Sequence, residues 1–209
     1  MSTTVWLVSH AANAALRSGT FPQAPEVPVA GEDAEAALDA RALEALAAWR
    51  ERWHAGLAGG NRNGEAPRAL TSPTAIARAS ARAAGFAGAT PAEALAEAAF
   101  GAWQGQRLTD LAREAPEALA AWTRDPGFRP PGGGESFDDV RARVSAWLDA
   151  VPDSGHNVVA FTHASVIRAA ILHALGAPSE GFRSIEIAPL SVTALRRTEH
   201  GWIWLAART

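Results

Sequence analysis

Two short apolar segments of the chain each end on a histidine and pass directly into small residues and a helical pattern. The first is TVWLVSHAAN at residues 4–13, and the second is NVVAFTHAS at residues 157–165. Both begin with runs of β-branched, aromatic and other apolar residues, which predicts two buried strands. Because a strand that leads straight into a helix is typical of βαβ units, the repeat favours a mostly parallel sheet covered by helices on both faces.

The rest of the chain continues this alternation of strands and helices. The sequence predicts, in order, a helix over 38–53, a strand over 68–72, helices over 74–84, 108–122, 137–147 and 166–175, and closing strands around 185–187, 192–195 and 202–204. A chain of 209 residues is long enough for one good-sized domain with its own core. We therefore predict a single domain over residues 1–209 with an α/β fold, a three-layer α/β/α sandwich around a mostly parallel central sheet.

Composition excludes several classes of function. All 19 basic residues are arginine, and the chain contains neither lysine nor cysteine. These absences exclude a P-loop lysine, a Schiff-base lysine, a thiolate nucleophile and a cysteine-based metal site. The net charge of −3 gives no basic footprint for nucleic acid. No apolar run reaches transmembrane length, so we expect no membrane partner and a cytoplasmic protein.

The two strand-end histidines, His10 and His163, are the candidate functional residues. Ligands bind at the carboxyl ends of strands in open α/β sheets, beside helix N-termini that favour anions. Two histidines there can act as a nucleophile and as a donor to an anion. Either residue alone could be a structural histidine, but the repeated pattern favours function. The remaining histidines, which have no assigned role, are His54, His156, His173 and His200.

Five sequence blocks occur in an order that resembles a known family. They are LVSHA at 7–11, SPTAIARASA at 72–81, EAAFGAWQG at 97–105, PGGGESFDDVRARV at 131–144 and VVAFTHASVIRAAI at 158–171. Together they resemble the histidine phosphatase superfamily, which includes phosphoglycerate mutases and small phosphomonoesterases. The resemblance covers nearly the whole chain and implies a phosphoglycerate mutase-like fold.

The resemblance implies a role for each of three residues. His10 matches the histidine that attacks phosphorus and becomes a phosphohistidine, which water then hydrolyses. Glu97 matches the acid that protonates the leaving oxygen, with Glu93 as the alternative one helical turn earlier. His163 matches the second histidine of the phosphate pocket. We expect Glu97 to face that pocket from a mobile segment.

Two positions depart from the family pattern. Ser9 and Ile76 stand where the family has phosphate-binding arginines, and neither side chain replaces a bidentate cation. Substitute cations are Arg17, Arg78 and Arg168, and we expect Arg17 to point at the anion site. The predicted phosphate-binding set is Ser9, Asn13, Arg17, Arg78 and Ala164.

Three functions remain open on these residues. The first is a phosphomonoesterase for a small phosphorylated metabolite, with a rearranged phosphate pocket and weak or narrow activity. The second is a catalytically degenerate member that acts as an anion-binding or regulatory module, and the third is a phosphoglycerate mutase-type phosphotransferase. Retention of the three matched catalytic residues favours the first.

The expected ligand is a small phosphorylated substrate, or inorganic phosphate or sulfate. Substrate preference would lie in the loops 18–32, 86–96 and 124–136. No cofactor and no metal are expected, since three site residues are too few for a closed metal site. A homodimer is compatible with the sequence.

Overall fold

The computed structural model describes residues 2–23, 37–59 and 64–206 of the chain. The strands in these ranges are β1 (Thr4–Ser9), β2 (Arg68–Thr71), β3 (Thr90–Pro91), β4 (Val158–Thr162), β5 (Val192–Thr198) and β6 (Gly201–Leu205). The α-helices are α1 (Ala14–Arg17), α2 (Ala40–Ala58), α3 (Ala75–Ala83), α4 (Leu108–Glu114), α5 (Pro116–Arg124), α6 (Phe137–Ala150) and α7 (Ala164–Ala174). Among the described residues, no helix is both long enough and apolar enough to cross a bilayer.

The six strands form one sheet in the order β3-β2-β4-β1-β5-β6. The pairs β2–β3, β2–β4 and β1–β4 are parallel, whereas β5 and β6 add an antiparallel edge. The predicted mostly parallel sheet is therefore confirmed. Since β1 and β4 are adjacent and parallel, their carboxyl ends lie side by side.

Successive side chains of the central strands point to opposite faces of the sheet, so they pack into two separate cores. Val5 and Leu7 pack with α6 and α7 on one face of the sheet. Val8 and Phe161 pack with α2 and α3 on the other. The helices on both faces make the three layers that the sequence predicts.

A third cluster is aromatic and lies apart from these two cores. Phe21, Trp103 and Leu111 are its buried members, and Phe100, Trp122 and Phe128 pack against them together with other partly buried residues. The rings meet mainly edge to face, with centroids 4.9 Å apart for Phe21 and Phe100. This cluster provides an apolar wall beside the functional site described below.

Three local features differ from the sequence predictions. Ile185 and Ile187 form no strand, because the Ile185 carbonyl accepts a hydrogen bond from Arg168 Nε and both side chains pack on the core. The predicted helix over 108–122 is two helices, since Pro116 has no N–H to continue the first. The two-residue strand β3 was not predicted. Of the predicted specificity loop 18–32, residues 24–32 lie outside the described residues.

Candidate active site

His10 and His163 meet at the carboxyl edge of the sheet. Ser9 pairs with Thr162 across β1 and β4, and the His10 N–H donates to the Thr162 carbonyl at 2.9 Å. The next residue on each strand is a histidine, so the pairing places the two rings 4.9 Å apart, edge to face. The two strand–histidine–helix segments of the sequence thus bring their histidines together at one edge of the sheet.

His10 is held as a neutral imidazole with one free ring nitrogen. Its Nδ1 lies 2.8 Å from the Ala11 carbonyl, which can only accept, so Nδ1 carries the proton and Nε2 has the lone pair. Burial and the neighbouring His163 lower the pKa of His10 to about 4, and hydrogen bonding to Ala11 and the charge of Glu97 offset this only in part. At neutral pH the Nε2 lone pair is therefore available to attack an electrophile.

His163 is fixed by contacts at both ring nitrogens. It is the N-cap residue of α7, and its side chain is 3% exposed. Nε2 lies 2.9 Å from Ser72 Oγ and 3.1 Å from Thr74 Oγ1. Nδ1 lies 3.1 Å from a Glu97 carboxylate oxygen, close enough for an ion pair but outside hydrogen-bond geometry. The ring is thereby held between two hydroxyls and one carboxylate.

Glu97 is a stabilised carboxylate. One oxygen accepts from the Ala98 N–H at 3.0 Å and from the Ser165 hydroxyl. Burial raises the pKa of Glu97, but the charge of His163 and the hydrogen bonds outweigh it and lower the pKa to about 2. The free site therefore holds an ionised acid next to a neutral His10.

The segment that carries Glu97 is tied to α6 and to the loop before it. Arg143 donates to the Ala94 carbonyl at 2.8 Å and to the Ala96 carbonyl at 2.9 Å. It also pairs with the carboxylate of Glu135, which accepts a hydrogen bond from the Ala99 N–H at 3.0 Å. These contacts fix the backbone on both sides of Glu97, whereas the sequence led us to expect a mobile segment.

A cavity of about 1050 Å³ opens onto these side chains. His10, Glu97 and His163 line it together with the aromatic residues Phe21, Phe100 and Trp122 and other residues. Arg183 also lines the cavity, and its guanidinium lies 4.2 Å from the centre of the Trp122 ring. The site thus combines a small polar group of reactive residues with an apolar wall.

Five of the sequence-predicted site residues come together at this cavity: His10, Asn13, Arg78, Glu97 and His163. Asn13 also caps α1 by accepting from the Leu16 N–H at 2.9 Å. Arg78 lies one turn beyond Thr74 on α3, and its buried Nε makes no hydrogen bond in the described structure. Glu93, the alternative acid, is exposed and does not line the cavity.

Arg17 is the main departure from the predicted site. Its guanidinium donates to the Ala12 carbonyl at 2.7 Å and pairs with Asp39, the N-cap residue of α2. Because Asp39 follows Arg17 by 22 residues, the local sequence gave no sign of this pair. Arg17 therefore does not line the cavity, contrary to our expectation.

The other predicted residues also lie off the cavity lining. Ser9 is buried within β1, and Ala164 opens α7. Arg168 donates to the Ile185 carbonyl at 2.7 Å, and burial lowers its pKa more than Glu97 and Glu186 raise it.

Sequence reasoning missed the hydroxyl groups that orient the reactive residues. Ser72 and Thr74 contact His163, and Ser165 contacts Glu97. All three lie inside the quoted blocks, so their positions were visible but their partners were not. Arg183 had no signal in the sequence, since it reaches the cavity from a 3₁₀ turn over Ser179–Ser184.

A neutral histidine with a free ring nitrogen, beside a carboxylate and a second histidine, defines a site for nucleophilic and acid–base chemistry. Residues 6–208 match the family described as the histidine phosphatase superfamily (branch 1). The chain therefore belongs to the histidine phosphatase superfamily. The predicted resemblance and fold are confirmed.

Among curated proteins, the chain is similar to a bifunctional protein of Mycobacterium tuberculosis, with 39% identity over 87 residues. The match covers 41% of this chain and 24% of that protein, so the chain spans only a fraction of its relative's length. An uncharacterized protein of Mycobacterium bovis matches to the same extent.

Solved structures share the fold over nearly the whole chain. The α-ribazole phosphatase of Shigella flexneri is 21% identical, with a TM-score of 0.76 and coverage of 99% of this chain and 96% of that one. A variant of a phosphoserine phosphatase from Entamoeba histolytica, in complex with phosphoserine, is 13% identical, with a TM-score of 0.76 and coverage of 98% and 95%. At these identities the likeness concerns the fold.

Proposed function

We propose that the protein is a phosphomonoesterase that acts on a small phosphorylated metabolite through a phosphohistidine on His10. The observation that carries this proposal is the state of His10, whose Nδ1 donates to the Ala11 carbonyl and leaves Nε2 free beside the cavity. His10 attacks phosphorus in line with the departing oxygen, and water then hydrolyses the phosphohistidine. Most of the rate comes from positioning and from stabilising charge on the phosphoryl oxygens.

Glu97 is the proposed proton donor to the leaving oxygen. Its pKa of about 2 means that it must gain a proton before it can donate one. A bound phosphoryl dianion raises the pKa of a neighbouring carboxylate through like-charge repulsion. His163 Nδ1, 3.1 Å from the carboxylate, is well placed to supply that proton when its ring is charged.

The phosphoryl group needs positive charge, and Arg78 is the proposed source. Its buried Nε has no hydrogen-bond partner in the described structure, and a phosphate oxygen would satisfy it. Thr74 and His163, the N-cap residues of α3 and α7, both line the cavity, so two helix N-termini, which favour anions, lie beside the proposed phosphoryl site. Asn13 lines the cavity and stays in the proposed phosphate-binding set, whereas Ser9 and Ala164 lie off the lining and Arg17 is paired with Asp39.

The apolar wall supports a leaving group with a flat apolar part. Phe21, Phe100 and Trp122 line the same cavity as Glu97, so an alcohol that leaves beside Glu97 meets aromatic rings. The relatives that are named phosphatases support the reaction class, and they do not define the substrate.

Trapping the intermediate tests this proposal directly. The protein is mixed with an aryl phosphate, quenched, and searched for a phosphohistidine by mass spectrometry. We expect the adduct in the wild type and in His200→Ala, whose side chain is 88% exposed, and its loss in His10→Ala. Absence of both hydrolysis and adduct in the wild type would instead support the degenerate, anion-binding alternative.

A matched pair of arginine variants tests the phosphate pocket. Arg78→Ala should raise the KM for an aryl phosphate and weaken inhibition by inorganic phosphate by about tenfold or more, because one charged donor is lost. Arg82→Ala, an exposed residue one turn further along α3, should leave both constants unchanged. Weaker phosphate binding in Arg17→Ala but not in Arg78→Ala would show that our assignment of the cation is wrong.

A further inference from the structure

Three potential metal-ligating atoms lie close together in the site. One atom each of His10, Glu97 and His163 lies within 4.8 Å of the other two. Imidazole nitrogens and carboxylate oxygens are ligands of Zn²⁺ and related ions, and catalytic zinc sites use three protein ligands with a fourth position open. The set is therefore chemically complete for an open site of this kind, which the sequence alone did not lead us to expect.

The contacts behind these ligands match the surroundings of a metal-binding histidine. Such histidines donate their second N–H to a carbonyl or other acceptor, which fixes the tautomer. His10 Nδ1 donates to the Ala11 carbonyl and leaves Nε2 free. His163 Nε2 lies 2.9 Å from Ser72 Oγ, and the tautomer that donates to that oxygen frees Nδ1 to bind a cation. Both free nitrogens belong to rings that are in edge-to-face contact.

The buried Nδ1 of His163 and Oε2 of Glu97 face each other at 3.1 Å. A cation bound between them would replace the proton of Nδ1 as their common partner. Metal–ligand bonds of 2.0–2.2 Å in tetrahedral geometry place ligand atoms about 3.3 Å apart. The nitrogen and oxygen already have this separation. The longest separation, up to 4.8 Å, needs a contraction of up to about 1.5 Å.

The charge next to the three ligands leaves room for a cation. Among the described residues, Glu97 forms no ion pair with an arginine, although Arg78 and Arg183 line the same cavity. Ser9 and Ile76, which stand where the family resemblance places arginines, are both uncharged. Two further guanidinium groups at these positions would repel a divalent ion strongly in a partly buried site, and that added repulsion is absent here.

We propose that His10, Glu97 and His163 bind a divalent transition-metal ion of the zinc class in competition with phosphoryl transfer. The ion takes the Nε2 lone pair that the nucleophile needs, so binding inhibits the phosphatase and a chelator restores it. The proposal concerns binding, and it holds or fails independently of whether the site turns over phosphate esters.

Metal titration of the full chain tests the proposal without using activity. After treatment with a chelator, Co²⁺ is added and its visible d–d bands are followed, and Zn²⁺ binding is measured by calorimetry. We expect one ion per chain, with the strong visible absorption that is typical of Co²⁺ with a low coordination number. His10→Ala and Glu97→Gln should weaken binding at least tenfold, whereas Glu93→Gln and His200→Ala should bind as the wild type does.

Two further variants separate ligation from loss of folding. Ser72→Ala removes the acceptor behind His163 and should weaken binding about 10–100-fold while the far-UV spectrum stays native. Ile76→Arg places a guanidinium beside the cavity and should also weaken it. No saturable binding to the wild type, or equal binding in the wild type and His10→Ala, would overturn the proposal. Phosphatase assays in excess chelator test the proposed function separately.

Discussion

Replacing Arg143 with alanine should release the segment that carries Glu97. The Arg143 side chain, 22% exposed, bonds the Ala94 and Ala96 carbonyls and pairs with Glu135 at 3.1 Å. The substitution leaves two carbonyls and a partly buried carboxylate without their partner. Charge-assisted hydrogen bonds contribute about 1.5–3 kcal/mol each when buried, and partial exposure reduces this, so we expect a total loss of about 3 kcal/mol. For a domain of this size that corresponds to a fall in Tm of about 6–12 °C.

The effect on catalysis should exceed the effect on folding. A displacement of about 1 Å can lower the rate about 100-fold when a catalytic group loses its position. We therefore expect kcat for an aryl phosphate to fall about 100-fold in Arg143→Ala at a temperature where the variant is folded, with little change in KM. Arg143→Lys keeps the charge but lacks the planar guanidinium that bonds several acceptors at once, so it should recover only part of kcat.

Arg141 provides a matched control on the same helix. It donates to Ser179 Oγ at 2.8 Å and to the Ala177 carbonyl at 2.7 Å, away from Glu97. Arg141→Ala should lower Tm by a smaller amount and leave kcat near the wild-type value. If the two alanine variants lost kcat to the same extent, the contacts of Arg143 would have no role in positioning Glu97, and our reasoning would be refuted.

Three other predictions follow from the contacts of the site. The pKa of His10 is lowered from 6.5 to about 4, so the unfolded chain binds a proton at a higher pH than the folded chain does. The free energy of unfolding should therefore fall as the pH drops from about 6.5 to 4. Urea melts should show a smaller fall in His10→Asn than in the wild type. Ser165→Ala removes a hydrogen bond to the Glu97 carboxylate and should raise the pKa of Glu97, which a carboxyl titration by NMR would detect. Gly101→Ala places a Cβ 2.2 Å from the Pro131 carbonyl oxygen and should lower Tm by several degrees more than Gly133→Ala, which has positive φ but open space; equal losses would contradict this account.

The sheet and its helices could be predicted because local patterns determine them. Val5 and Leu7 alternate with residues of the other face, and the apolar run of β4 is buried throughout. Both patterns indicate strands that are covered on two sides. The pairing of β1 with β4, which are separated in the chain by β2 and β3, brings His10 to His163. The strand–histidine–helix pattern predicted that the two histidines lie at one edge of the sheet, and that is the part of the candidate site that sequence reasoning reached.

The elements that were missed depend on contacts distant in the chain. The Ile185 carbonyl is taken by Arg168 from α7, so a segment with a strand-like sequence does not join the sheet. Arg183 lines the cavity, and its guanidinium stacks on the ring of Trp122, which is 61 residues away in the chain. No spacing rule could indicate either contact, because each needs the finished fold to bring its partners together.

Arg17 and Arg78 show why it is harder to predict which arginine faces the site than to predict which segments lie near it. Both lie close in sequence to a site residue, but only Arg78 shares a helix face with one, since it follows Thr74 by four residues and Thr74 contacts His163. Arg17 is at the end of a four-residue helix and meets the carboxylate of Asp39 first. A guanidinium that is already paired gains little by turning to a second anion, whereas the unpartnered Nε of Arg78 gains a bond that nothing else supplies. The cation that we propose for the site is therefore the one whose own surroundings leave a buried donor without a partner, which is a property of the folded chain.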